Sequence, residues 1–218
     1  MGRRPLGRPA VRQAGLSSSL SSFSSKEPTR SPIRILGISG SLRSGSHNTA
    51  LLRAAALSLP SGAELEVYDG LRDLPAYDAD LDTPENEPET VAQLRAAIAQ
   101  VDGVIIATPE FNGSIPGALK NALDWASRPF PDNALKGKPV AVVGASTGLF
   151  GAVWAQAEVK KVLGIIGADV LDGELPVGQA GGAFRDDGHL LDDDLRAALQ
   201  ELLGVLAARV GARDSQAV

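Results

Sequence analysis

Residues 33–49, Ile-Arg-Ile-Leu-Gly-Ile-Ser-Gly-Ser-Leu-Arg-Ser-Gly-Ser-His-Asn-Thr, constrain the fold more than any other stretch. The apolar run Ile33 to Ile38 reads as a strand. A loop of small polar residues follows, and then Ala50-Leu-Leu-Arg-Ala-Ala-Ala-Leu57, a strong helix former. A strand that empties through such a loop into a helix start makes an anion site. Free backbone N–H groups point out of the first turn, and the helix dipole favours negative charge. The loop therefore predicts a bound phosphate.

The rest of the chain repeats this alternation. Strands are expected at 33–38, 63–68, 101–108, 138–143 and 168–171, and helices near 48–59, 88–100, 116–127, 151–167 and 191–210. Five β-α units predict an α/β fold, with a doubly wound parallel sheet and helices on both faces. Ligands of such sheets sit beyond the carboxyl ends of the strands. A single domain over 32–212 is expected, with a short tail at 213–218.

Residues 1–31 differ in kind. They carry six basic side chains against Glu27, and seven serines between Ser17 and Ser25. This composition suits a disordered extension, or a transit peptide rich in Arg and Ser. The expected location is the cytoplasm, or an organelle if the extension is a transit peptide. The remainder holds 15 basic and 25 acidic side chains, a balance that predicts no nucleic-acid partner. There are no cysteines and two histidines, so no metal site is expected. The uncharged run Pro139 to Ala157 approaches the length of a membrane span, but its glycines, Ser146 and Thr147 cluster at its middle. It reads as strand, loop and helix, with no membrane span expected.

Three carboxyl-end loops carry the chemistry. In the first, Ser41, Ser44, Ser46, Thr49, the Asn48 amide and the Arg43 guanidinium offer donors to phosphate oxygens. Neither a Walker motif nor a G-x-G-x-x-G fingerprint follows the strand, so the loop suits one phosphate monoester. The bland alternative is a solvated loop whose Ser and Asn cap a helix. The second loop, Thr108 to Pro116, offers Pro109, Glu110, Phe111, Asn112 and Gly113 to the edge of a flat ring, or is an ordinary Pro-Gly turn. The third, Gly144 to Gly151, exposes backbone N–H groups through its glycines. It also matches G-x-S-x-G, a serine-hydrolase elbow at Ser146, with Asp169 or Asp172 and His189 following in triad order.

With all three loops read, residues 33–210 resemble the NADPH-dependent FMN reductases of the flavodoxin-like superfamily, which include bacterial quinone, azo-dye and chromate reductases. The resemblance rests on Gly40-Ser-Leu-Arg43 with Ser46 and Asn48, and on Pro109-Glu-Phe-Asn-Gly-Ser-Ile-Pro-Gly-Ala-Leu-Lys-Asn-Ala-Leu-Asp-Trp125. It implies strand order 2-1-3-4-5. Ser41, Arg43, Ser46, Asn48 and Thr49 would hold the FMN phosphate. Pro109, Glu110, Phe111, Asn112 and Gly113 would hold the isoalloxazine ring, and Ser146, Thr147, Gly148 and Gly151 would close its other side. No catalytic side chain is required, because the flavin carries the chemistry. NADPH or NADH would pass hydride to FMN in a ping-pong cycle that reduces a quinone-like, azo, chromate or flavin acceptor. A serine hydrolase and an electron-carrier flavodoxin are the alternatives. The family also implies a homodimer or homotetramer, with Arg128 near the nicotinamide or a partner, and leaves Trp125 open between core and interface. Two departures stand out: Phe111 replaces the more frequent Tyr, and Ala152 follows Gly151 where a Gly pair is common.

Overall fold

The computed structural model describes residues 1–2 and 31–216. Most of the N-terminal extension therefore lies outside the described residues. From Ile33 the order is β1 (Ile33–Ser39), α1 (His47–Leu57), β2 (Ala63–Tyr68), α2 (Glu89–Ala99), β3 (Gly103–Thr108), α3 (Gly117–Ala126), β4 (Pro139–Ala145), α4 (Val153–Ile166), β5 (Asp169–Val170), β6 (Pro176–Val177) and α5 (Asp193–Gln216). The strands pair in parallel in the order β2-β1-β3-β4-β5, with β6 also on β4. This is the flavodoxin-like arrangement.

Both faces of the sheet are apolar, as central parallel strands require. Leu36, Ile38, Val104, Ile106, Val140 and Val142 pack under α2, α3 and α4. Their neighbours Ile35, Ile105, Ala107, Ala141 and Val143 pack under α1 and α5. The period of two along each strand thus divides one sheet between two cores. β2 lies at the edge and alternates half-buried and exposed residues before both positions are half-buried at its end. Trp125 is fully buried, and its indole N–H donates to Pro75 O at 2.9 Å, so it belongs to the core.

Two parts differ from expectation. The fifth edge position is broken: β5 pairs with Pro139 and Val140, whereas β6 pairs with Gly144 and Ala145. Only two residues hold each piece, and Asp172-Gly-Glu174 between them carries no apolar alternation that would have marked a second strand. α5 continues to Gln216, past the expected end at Val210. The uncharged run divides into β4, a loop and the start of α4, and no described helix is long and apolar enough to cross a membrane.

Candidate functional site

The three loops meet. A cleft of about 220 Å³ at the carboxyl ends of β1, β3 and β4 is lined by Ser41, Arg43, His47, Asn48, Pro109, Glu110, Phe111, Ala145, Ser146 and Thr147. Gly40 lets the loops converge: a Cβ there would lie 2.9 Å from Leu119 Cδ2 and 3.2 Å from Pro109 Cδ.

At the first loop the predicted donors have divided duties. Ser46 is the N-cap of α1, its hydroxyl accepting from Thr49 N–H at 3.1 Å. Asn48 is buried, and its amide donates to Ala145 O and accepts from Ala145 N–H, each at 2.9 Å. It therefore clamps α1 to β4 across the cleft floor. The Thr49 hydroxyl donates to Ser39 Oγ at 3.0 Å. Ser46 and Thr49 do not line the cleft. The capping alternative thus holds for Ser46, while Ser41 and Arg43 line the cleft together with His47 and Asn48 at the start of α1. Arg43 donates to Gly45 O at 2.6 Å and lies 3.2 Å from His47 Nε2. His47, stacked on Phe184 with 6.5 Å between centroids, was not among the sequence candidates. Its place in the first turn of α1 was the available signal.

At the second loop, Asn112 (φ 55°) and Gly113 (φ 72°) are consecutive left-handed residues. Phe111 and Ser114 exchange backbone hydrogen bonds of 3.2 and 3.1 Å around them. Asn-Gly here is a two-residue hairpin tip, a signature carried by the dipeptide itself. The tip lies outside the cleft lining, while Phe111 lies in it, 59% exposed. The Glu110 carboxylate accepts from Trp154 N–H (3.1 Å) and Ala155 N–H (3.2 Å), capping α4. Glu158 on α4 returns the tie, accepting from Ser114 Oγ at 2.6 Å and Ile115 N–H at 3.3 Å. The Ser114 bond, then the Ile115 bond, hold the Glu158 carboxyl below its ordinary pKa.

The third loop is docked on the edge after β6. Ser146 N–H donates to Val177 O, Gln179 N–H to Gly148 O and Ala180 N–H to Ser146 O, at 2.8 to 3.0 Å. Gly148 and Gly151 serve this docking rather than the cleft lining. Ala152 stands at φ 62°, a left-handed conformation that costs an L-residue roughly 1 kcal/mol or more. Alanine in place of a second glycine therefore has a backbone consequence.

The hydrolase arrangement is not assembled. Ser146 is not among the residues with positive φ, so it lacks the strained elbow backbone. Its hydroxyl donates to Gly148 O at 3.4 Å. Asp169 is held by Arg209 at 2.7 Å, and buried His189 Nδ1 has no hydrogen-bond partner. Arg128 is tied to Tyr77 OH at 3.2 Å and is not among the residues lining the cleft.

The donor set fits a ligand with a phosphate at one end and a flat ring at the other. Comparison with known proteins bears on that fit. The description "NADPH-dependent FMN reductase" belongs to the family whose model matches residues 33–182. An NAD(P)H-dependent FMN reductase of Pseudomonas aeruginosa is 42% identical over 175 residues, covering 80% of this chain and 93% of the relative. A quinone reductase of Escherichia coli K12 is 40% identical over 140 residues, 64% of this chain and 74% of the relative. The solved structure of the flavoenzyme NAD(P)H:(acceptor) oxidoreductase FerB from Paracoccus denitrificans superposes with a TM-score of 0.73 at 34% identity, covering 83% of this chain and 98% of that one. On cleft, sheet order and sequence alike, the chain belongs to the NADPH-dependent FMN reductase family.

Proposed function

We propose that the cleft holds FMN and that the protein reduces a small quinone-like acceptor at the expense of NAD(P)H. The observation that supports this reading is the convergence of three loops of different chemistry on one cleft. Ser41, Arg43 and the first-turn N–H groups would take the phosphate. Pro109, Glu110 and Phe111 on one side, with Ser146 and Thr147 on the other, would take the ring. Bound FMN supplies hydride acceptance from the nicotinamide and delivery of electrons to the acceptor, in a ping-pong cycle on one open face. The protein's share is positional. Asn48 fixes the floor, and Glu110 and Glu158 fix the ring-side hairpin against α4. The Escherichia coli relative acts on quinones by its name, and the apolar Phe111, Leu149, Phe150 and Trp154 around the mouth suit such an acceptor.

The same surface supports a homo-oligomer. Phe150 and Trp154 pack edge-on at 5.2 Å yet stay more than half exposed. Phe130 and Ile165, also exposed, line an apolar groove along α3 and α4. A second copy over α4 would cover these residues and finish the ring end of the cleft. Trp154→Glu would then shift the size-exclusion mass downward.

The deciding experiment is an absorbance scan of the purified protein followed by anaerobic NADPH. A yellow protein that bleaches on NADPH and recovers its colour on adding a quinone is expected. A protein that takes up no FMN ends this reading, and one that binds FMN without bleaching is an electron carrier.

A further inference from the structure

A second cavity, of about 310 Å³, opens beside the first, between the β1–α1 loop and the loop after β2. Ser41 and Arg43 line both. Its other polar walls include Arg53 on α1, Tyr68 and Asp69 at the end of β2, and Arg72 in the 3-10 turn Gly70–Asp73.

The charges around this cavity are unusual for the domain. Residues 32–218 carry more acid than base, and most of their cations face carboxylates, as Arg34, Arg95, Arg185, Arg196 and Arg209 do. Among the described residues, Arg43, Arg53 and Arg72 have no carboxylate partner. Arg43 bonds Gly45 O and His47, Arg72 donates to Leu42 O, and Arg53 has no hydrogen bond. Three guanidinium groups without an ion-pair partner outnumber the one carboxylate, Asp69, on this cavity and attract an anion. Arg53 and Arg72 line only the second cavity, so they add charge beyond what one flavin phosphate in the first would draw on.

We propose that this cavity receives the 2′-phosphate of NADPH, with Arg53 and Arg72 as the residues that discriminate it from NADH. The proposal rests on the flavin reductase reading. In the dinucleotide sites of other doubly wound sheets, a carboxylate accepts from the ribose 2′-hydroxyl of NAD, whereas an arginine nearby accommodates the 2′-phosphate of NADP. Here β2 ends at Tyr68 and Asp69 is the next residue. A dinucleotide laid along the cleft, nicotinamide toward Phe111, carries its adenosine end past Ser41 and Arg43 into this cavity. Arg53 and Arg72 then serve the phosphate, their charge outweighing that of Asp69 on the same cavity.

Another phosphate monoester is at hand, that of FMN itself, so the test separates the two. Full-length protein with flavin is compared with Arg53→Ala, a change at an exposed, unpartnered helix position that favours helix. Three measurements are made: the KM values for NADPH and NADH, flavin per chain by absorbance, and calorimetric binding of 2′,5′-ADP against 5′-AMP. The expected result is a rise of about tenfold in the NADPH-to-NADH ratio of KM, the loss of one charge-assisted contact. Binding of 2′,5′-ADP weakens, that of 5′-AMP does not, and flavin content holds; Arg53→Lys recovers part of the preference. Equal shifts for the two nicotinamides, or wild-type protein that binds 2′,5′-ADP no better than 5′-AMP, overturn the proposal. Loss of flavin in Arg53→Ala also overturns it and gives the cavity to the FMN phosphate. A wild-type protein without flavin defeats the reductase reading instead, while the calorimetry still reports on this cavity.

Discussion

The two ends of the cleft are built differently. At the end proposed for the phosphate, most polar side chains are bonded within the chain. Ser46 caps α1, Asn48 bridges to Ala145, and Thr49 is tied to Ser39. At the ring end the apolar side chains Phe111, Leu149, Phe150 and Trp154 are each more than half exposed, and the backbone beneath them is held by two glutamates. The first end is held together by bonds within the chain. The second end presents surface that a ring, an acceptor or a second chain can cover. Fixed dipoles suit a charge that must always be held, and open apolar surface suits a partner that must come and go.

If that contrast is right, the largest effect belongs to the clamp at the phosphate end. Asn48→Ala leaves Ala145 N–H and C=O buried without partners, and the expected loss is about 3 kcal/mol. A urea titration of the two proteins measures it. A loss well under 1 kcal/mol would mean that water replaces the amide and that this end is not fixed by the chain. Next comes Arg43→Ala. Removing one charge-assisted contact to the FMN phosphate should weaken flavin binding by about tenfold to a hundredfold with little change in stability. Fluorescence titration of the apoprotein with FMN is the check, and unchanged affinity would move the phosphate away from this loop.

The sheet and the meeting of the three loops were legible in the sequence because both follow from periodicity and from loop position. Buried strands such as Gly103–Thr108 announce themselves as apolar runs, and parallel order puts every carboxyl end on one side. The division of labour within each loop was not legible. Whether Ser46 caps a helix or faces a ligand depends on where helix α1 begins, and the two outcomes differ by one residue in its start. Asn48 needed the position of Ala145, 97 residues away, before its amide could be assigned. The Asn112-Gly113 tip was readable from the dipeptide, but the flanking residues lack strand patterning. The broken edge at β5 and β6 has no apolar run long enough to register, and Arg53 and Arg72 acquire meaning only once β2 places its loop beside α1.

The ring end should yield smaller effects, since Glu110 is half-buried and Glu158 exposed, and water can take over their bonds. Glu110→Ala removes the carboxylate that caps α4 at Trp154 and Ala155, and about 1 kcal/mol of stability is expected to go with it. Glu158→Gln is the mildest change and the one that pH exposes. Ser114 and Ile115 donate to the charged carboxylate, so the folded protein holds this group below its ordinary value of 4.5. A carboxyl whose folded pKa is depressed stabilises the fold above its unfolded pKa and loses that contribution as pH falls through the folded value. Urea midpoints of wild type and Glu158→Gln should therefore differ by a constant amount above pH 4.5 and converge as the solution is made more acid. Ser114→Ala should narrow the same gap, because the Ser114 hydroxyl is the larger cause of the shift. Curves that stay parallel into the acid range would show that the hairpin is held against α4 by apolar packing rather than by this carboxylate. The ring end would then be even less fixed by polar bonds than the phosphate end.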